Sequence, residues 1–321
     1  MSSTPSAAPS DPSRPSPPTR RSTPPAEVDI TVERVQALLR DQHPDLADLP
    51  LRAFESGWDN EMFRLGDSFL VRLPRRAMAA ACMASEQRWL GELAPRLTLP
   101  VPAPLRLGRP ALGYPWAWSV LPWIDGRAAD LEPVASGVGQ ESIWVDFLRS
   151  LHVEAPADAP ENWTRGVPLA RRADTVDERL ERLVCRLPWL AEHVAPLWRR
   201  AVDAPVDVAP TWIHGDLHQR NILVRDGRFA AVIDWGDLTS GDRANDLASV
   251  WTQFQAAESR RRVRRLMPEI GPATWLRAQG WAVFFATLLL DTGLVDNARH
   301  AAMGRAVFER LHADLAQEVT L

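Results

Sequence analysis

Apolar positions recur along this chain with two periods, and the change of period divides it. Val32, Val35, Leu38 and Leu39 share one face of a 3.6-residue repeat and predict a short amphipathic helix. Residues 52 to 73 read as short strands. The clearest is SFLVRLP, Ser68 to Pro74, entered through a Gly66-Asp67 turn and ended by proline. An alanine-rich helix is predicted from about Arg76 to Leu93 with Glu86 inside it, followed by strands near Ala103–Leu107 and Trp116–Trp123. Helical spacing then dominates. Leu180, Leu183, Val184 and Leu187 form an apolar stripe, and residues 242–254 and 273–316 are helix-rich. Strand-like runs return only between Thr211 and Trp235. No internal repeat is evident. The pattern predicts an α+β protein with a small β-rich lobe and a larger α-helical lobe, divided near Ile124 to Gly126.

Residues 1 to 26 are almost all Ser, Thr, Pro, Ala and Arg and are expected to be disordered, because they offer too little apolar area to offset the entropy of ordering. They lack the apolar core of a secretory signal, and their prolines disfavour the amphipathic helix of a transit peptide. The net charge of −4 argues against a general nucleic-acid binder. The longest apolar run, Trp281 to Leu290, is too short to span a bilayer and reads as a buried helix. Cys82 and Cys185 make neither a disulfide framework nor a zinc pattern, which fits a reducing, cytoplasmic setting. There is no lysine, so all 37 basic residues are arginine, and any task usual for lysine falls to arginine.

The richest chemistry lies in WIHGDLHQRNILV, Trp212 to Val224. On an extended strand His214, Asp216 and His218 would point one way and could hold a metal. As a loop, HGDLHQRN has the spacing His-x-Asp-Leu-x-x-x-Asn of a kinase catalytic loop. The downstream sequence favours the loop. Asp226-Gly227 between two apolar runs predicts a hairpin, with Arg225 facing Arg228, Val224 facing Phe229 and Asn221 facing Val232. Asp234 then lies just beyond the open end that carries Asn221. Magnesium usually takes one or two protein oxygens and completes its shell with phosphates and water, so Asn221 and Asp234 are candidate metal ligands. Asp216 is the candidate base that orients an attacking hydroxyl. The cage reading leaves Asn221 and the DWG at Asp234 unexplained, and His43, His152, His193, His300 and His312 form no second cluster. His214 is then expected to be scaffold, and His218 keeps a candidate role beside the substrate.

HGDLHQRNILV followed by VIDWGDLTSGDRANDLA resembles the aminoglycoside phosphotransferase and choline kinase group, over roughly residues 27 to 321. The resemblance implies a protein-kinase-like bilobal fold, with residues 27–123 binding the nucleotide and residues 124–321 carrying catalysis and substrate. It implies Mg2+ and ATP or GTP as co-substrate. GDRANDLA is similar to the group's GDPxxDLA, with Arg243 where proline is frequent. Asp246 is expected to cap a helix and brace the catalytic loop. FLVRLP aligns with the strand whose lysine contacts the phosphates, which places Arg72 in that position with Glu86 as its helix partner. A Gly-x-Gly-x-x-Gly loop is absent, but Gly57 and Asn60 fit a looser G-x-x-N, and backbone amides from Ser56 to Asn60 would cover the phosphates. The adenine would lie against SVLPWIDG, with backbone hydrogen bonds near Leu121 and Trp123.

Only nine residues, Asp237 to Asn245, separate DWG from Asp246, too few for the activation loop of a protein kinase. The expected acceptor is a small alcohol, an aminoglycoside-type antibiotic or a metabolite, bound between the catalytic loop and the C-terminal helices. A polycation needs carboxylates, and Asp237 and Asp291 are the candidates. From Asp242 onward nine acids face ten arginines, which does not announce such a pocket. The run RRRVRR, Arg260 to Arg265, reads as a solvated helix face. The intact Asp216, Asn221 and Asp234 favour an active enzyme. The arginine at position 72 and the missing glycine loop favour the alternative, a binding-only kinase relative. Nothing in the sequence calls for a nucleic acid, a membrane or an obligatory protein partner. Removing residues 1 to 26 should leave turnover unchanged when compared with the full chain, and a large loss would show that the tail is more than an appendage.

Overall fold

The computed structural model describes residues 25–57, 59–136 and 139–318. Of the tail expected to be disordered, residues 1–24 lie outside the described residues.

Helix α1, Val32–Gln42, opens the ordered chain. The Thr31 hydroxyl caps it by accepting from Arg34 N–H at 3.3 Å, and Val35, Leu38 and Leu39 are buried as the spacing predicts. Three meandering strands follow: β1 (Leu51–Ser56), β2 (Asn60–Leu65) and β3 (Phe69–Pro74). Helix α2, Ala77–Leu93, then crosses to β4 (Arg106–Gly108) and β5 (Trp118–Pro122). The sheet is antiparallel in the order β1-β2-β3-β5-β4. Its inner face and α1 form one apolar core around Phe63, Val71, Trp118 and Val120. Trp89, Leu90 and Leu93 at the far end of α2 belong instead to the larger core, where Trp89 packs on Trp212 at 5.2 Å between ring centroids. The helix thus ties the sheet to the larger core, since Glu86 pairs with Arg72 and Gln87 Nε2 donates to Trp118 O at 2.8 Å.

The larger part begins with β6 (Arg127–Ala128), α3 (Gln140–Leu151), α4 (Ala173–Val184) and α5 (Trp189–Val202). Strands β7 (Thr211–Ile213), β8 (Ile222–Arg225), β9 (Arg228–Val232) and β10 (Thr239–Gly241) follow. Helices α6 (Ala244–Leu247), α7 (Ser249–Gln253), α8 (Ala257–Leu266), α9 (Pro272–Asp296) and α10 (Ala298–Glu318) complete it. The expected α+β arrangement, a β-rich lobe followed by a helical one, is therefore observed.

The structure corrects four local expectations. The helical stripe to Leu187 is broken, because α4 ends at Val184 and Leu187 precedes Pro188, which disfavours helical backbone before it. The apolar run at Trp281 extends into a 25-residue helix, long and apolar enough by composition to cross a membrane, yet 72% of its most apolar window is buried inside this protein. Arg260 is not on a solvated face: it is 2% exposed, and its Nε donates to Asp314 at 2.8 Å. The hairpin register also shifts. Arg225 faces Arg228 and Val224 faces Phe229, but a bulge at Ala230 then pairs Ile222, not Asn221, with Val232. Asn221 moves one step outward, and its carbonyl accepts from Ile233 N–H at 2.9 Å.

Helix α9 is the spine of the helical part. Close approach of α9 and α10 requires glycine at both helices: a Cβ on Gly293 would lie 2.3 Å from Ala301 N, and one on Gly304 would lie 2.6 Å from Leu290 N. Arg277 on α9 is 1% exposed and reaches Asp242 at 2.6 Å and Asp207 at 3.0 Å. Asp242 in turn accepts from Ala244 N–H at 3.0 Å and caps α6, the task the sequence suggested for Asp246. Removing one partner of such a pair leaves a buried charge without compensation. Arg277→Met is expected to lower unfolding free energy by about 3–5 kcal/mol, read from the urea midpoint.

Candidate active site

Strand β7 delivers the chain to His214, and the loop beyond is tied to Asp246. The Asp246 carboxylate accepts from His214 N–H at 2.8 Å and from Gly215 N–H at 2.9 Å, and His152 Nε2 lies 3.2 Å away. Burial penalises this charge, but His152, His214 and the amides outweigh it and hold the carboxyl below its usual range. Bracing of the catalytic loop by Asp246 is therefore visible. Gly215 has φ +87°, and a Cβ there would meet Asp237 O at 2.7 Å, so the turn needs glycine.

His214 uses both ring nitrogens. Nε2 sits 3.0 Å from the Ile233 carbonyl, which can only accept, so Nε2 carries the proton. Nδ1 is then free to accept from Asp216 N–H at 3.2 Å. A histidine spent in this way cannot ligate a metal, and the loop is no strand, so the cage of His214, Asp216 and His218 is not formed. His218 caps the short turn Gln219–Asn221 through Nδ1, which accepts from Arg220 N–H at 3.2 Å, and its Nε2 stands 3.6 Å from Asp216 Oδ2.

Asp216, Asn221 and Asp234 converge. Asn221 Nδ2 donates to Asp216 O at 2.9 Å and lies 3.4 Å from Asp216 Oδ2, which leaves Oδ1 as its available donor to a cation. Asp234 follows β9 in a left-handed conformation (φ 62°, ψ 71°). Such backbone costs a non-glycine residue about 1–3 kcal/mol and is held here by packing. Trp235 is the anchor: its ring is 4.6 Å from His214, and its Nε1 donates to Val232 O at 3.0 Å. Loss of water around Asp234, with Asp216 and Asp237 nearby, pushes its carboxyl up despite the pull of Arg72 and His214. A crowded anion with one amide oxygen beside it is a donor set that suits a hard divalent cation.

Sequence reasoning missed Arg165. It lies between α3 and α4, with Nη2 at 3.3 Å from Asp216 Oδ1 and Nε at 3.1 Å from Asp237 Oδ2. Asn162 also donates to Asp237, at 2.8 Å. Burial opposes the Asp216 charge, but Arg165, then His218 and His214, hold its carboxyl below the usual range. No local pattern marks Arg165, because its partners lie far along the chain. Asp291 is on α9, bound by Arg182 at 3.2 and 2.6 Å.

On the other side, Arg72 on β3 forms a buried ion pair with Glu86 on α2. Burial alone would weaken the guanidinium charge, but Glu86 and Asp234 more than offset it and raise the Arg72 pKa. The turn between β1 and β2 differs from expectation. Gly57 N–H donates to Asn60 O at 2.8 Å and is not free for a phosphate. Ser56 Oγ donates to Glu61 at 2.7 Å, while Asn60 Oδ1 is buried without a partner. The strand leading into the larger part also differs. Trp123 N–H donates to Ser68 O at 2.8 Å, and Leu121 lies opposite Leu70 in the same ladder. Bonded pairs alternate in an antiparallel ladder, so Leu121 and Trp123 both direct their backbone groups at β3. The Trp123 side chain instead stacks under Arg64, 3.7 Å from its ring centroid.

The phosphotransferase enzyme family model matches residues 50–281. An aminoglycoside 3'-phosphotransferase from Escherichia coli is 28% identical over 156 residues, 44% of this chain and 54% of that protein. The chain thus matches about half the length of this curated relative. Among solved structures, the GDP complex of wild-type aminoglycoside 2'-phosphotransferase-IIIa aligns with a TM-score of 0.65 and 17% identity, covering 90% of this chain and 100% of that one. The apoenzyme of macrolide 2'-phosphotransferase MphH from Brachybacterium faecium aligns with a TM-score of 0.55 and 21% identity, covering 86% and 97%. At these identities the structures establish a shared fold. With most of its length matched by the family model, this chain belongs to the phosphotransferase enzyme family.

Proposed function

We propose that this protein transfers the γ-phosphoryl group of ATP or GTP to the hydroxyl of a small molecule. The observation that carries the reading is that Asn221 donates to Asp216 at one end of the β8–β9 hairpin, where Asn221 O also binds Ile233 N–H beside Asp234, whose carboxyl feels the Asp216 charge, while Arg165 holds Asp216 ionised. Asn221 Oδ1 and the Asp234 carboxylate would hold Mg2+, which when bound would offset the charge of the phosphates. The Asp216 carboxylate accepts a hydrogen bond from the acceptor hydroxyl, turns its lone pair toward the phosphorus and takes up its proton. Arg72, fixed by Glu86, offers planar donors to the phosphates from the β-rich side.

The reading assigns residues 27–123 to the nucleotide and residues 124–321 to catalysis and the acceptor. It includes a cytoplasmic location, which the two free cysteines fit. Solved relatives described as complexes with GDP, with GDP and kanamycin, or with AMP-PNP and hygromycin B support a nucleotide and a small acceptor in this fold.

The test is nucleoside diphosphate release with ATP and with GTP across aminoglycosides, macrolides and metabolite alcohols. Magnesium-dependent nucleotide binding with no acceptor ever phosphorylated would leave only the binding-only alternative. Asp216→Asn is expected to bind nucleotide normally and lose turnover by roughly 10²–10⁴-fold, since a positioned base contributes that much. An unchanged rate would remove Asp216 from that role. Asp234→Ala is expected to weaken nucleotide binding in magnesium and leave the weaker magnesium-free binding unaltered, as read by calorimetry.

A further inference from the structure

On the acceptor side of Asp216, arginines outnumber the carboxylates available to them. Arg165 and Arg172 flank the same ring: their guanidinium carbons lie 5.6 and 5.2 Å from the Phe284 centroid. Arg165 is satisfied by Asp216 and Asp237. Arg172, at the end of the short turn Leu169–Arg172 that leads into α4, has no carboxylate partner among the described residues, and its buried Nε makes no hydrogen bond. Arg179 follows two helical turns later on α4. It reaches Asp291 only at 3.9 Å, and its buried Nη1 makes no hydrogen bond. Asp291 already gives both oxygens to Arg182. Phe284 and Asp291 are themselves two turns apart on α9, so Arg172 and Arg179 follow the α4–α9 seam away from the base.

We infer that the acceptor alcohol carries a negatively charged group, a carboxylate or a phosphate, bound by Arg172 and Arg179. The inference rests on the phosphotransferase reading above and names its substrate class. Buried guanidinium nitrogens without partners are costly, and an oxyanion that presents two oxygens side by side, as carboxylates and phosphates do, is the group that matches them. Burial and then Arg165 push the Arg172 guanidinium below its ordinary range, as expected of a cation waiting for a counter-charge. A polycation fits poorly: the two carboxylates it would use, Asp237 and Asp291, are already paired with Arg165 and Arg182, and Arg172 would repel it.

The test uses the full chain with Mg2+ and AMP-PNP and a set differing mainly in charge: glucose, gluconate, glucose 6-phosphate, glucosamine and kanamycin. Calorimetry is expected to show an anionic member binding at least tenfold more tightly than glucose and the cationic members. Arg172→Gln should erase that preference, and Arg172→Lys should keep most of it. Tighter binding of glucosamine or kanamycin, equal binding of all members, or a preference that survives Arg172→Gln would overturn the inference. Retained AMP-PNP binding shows that each variant is folded. Diphosphate release from ATP, measured on the same set, separates the two readings. Release with the neutral or cationic members alone sinks the acceptor charge and leaves phosphoryl transfer standing. The anionic binding pattern with no release from any acceptor sinks phosphoryl transfer and leaves the charge assignment.

Discussion

The site hangs on one buried carboxylate. Asp246 is fully buried, a position that is unfavourable for a charge unless donors converge on it. Here they do: the amides of His214 and Gly215, the Asn245 side chain and His152 all point at its two oxygens. The loop is therefore pinned by groups it must bury in any case. Through His214 the same pin reaches both halves of the site, because the ring holds Asp216 N–H on one nitrogen and the Ile233 carbonyl on the other. Asp216 and the segment that carries Asp234 share one support. A shift of His214 would move them together.

Around that support the charges are arranged in opposition. Burial, with Asp216 and Asp237 nearby, pushes the Asp234 carboxyl up. Two arginines answer them from opposite sides: Arg72 beside Asp234, and Arg165 bridging Asp216 and Asp237. A planar guanidinium can span two carboxylates at once, which a single ammonium does less well. In a chain without lysine, this is a structural use of arginine and not only a compositional habit.

Legibility followed sequence distance. HGDLHQRN, the Asp226-Gly227 hairpin and DWG were readable because each is a local arrangement whose chemistry needs those residues within a few positions. Arg72 and Glu86 were paired through the family resemblance, and the fold forms that ion pair. Small errors came from parity. One bulge at Ala230 moved Asn221 out of register with Val232, and the ladder directs the Trp123 N–H at Ser68 on the β3 side. Periodicity predicts that a strand exists but does not register an extra residue within it. Gly57 closes its own turn, a fact set by backbone hydrogen bonding that no side chain announces.

By itself the sequence determined the fold class, and it singled out Asp216, Asn221 and Asp234 as candidates with His214 as scaffold. These follow from short-range spacing and from which side chains can hold a proton or a hard cation. Only the tertiary structure decided what surrounds them: Arg165 on Asp216, Arg277 on Asp242, and Arg172 and Arg179 beside α9 without sufficient counter-charge. Each of those contacts joins segments far apart in the chain. Electrostatic partners are chosen by proximity in space, and one sequence carries no signal for which distant arginine will be folded against which carboxylate.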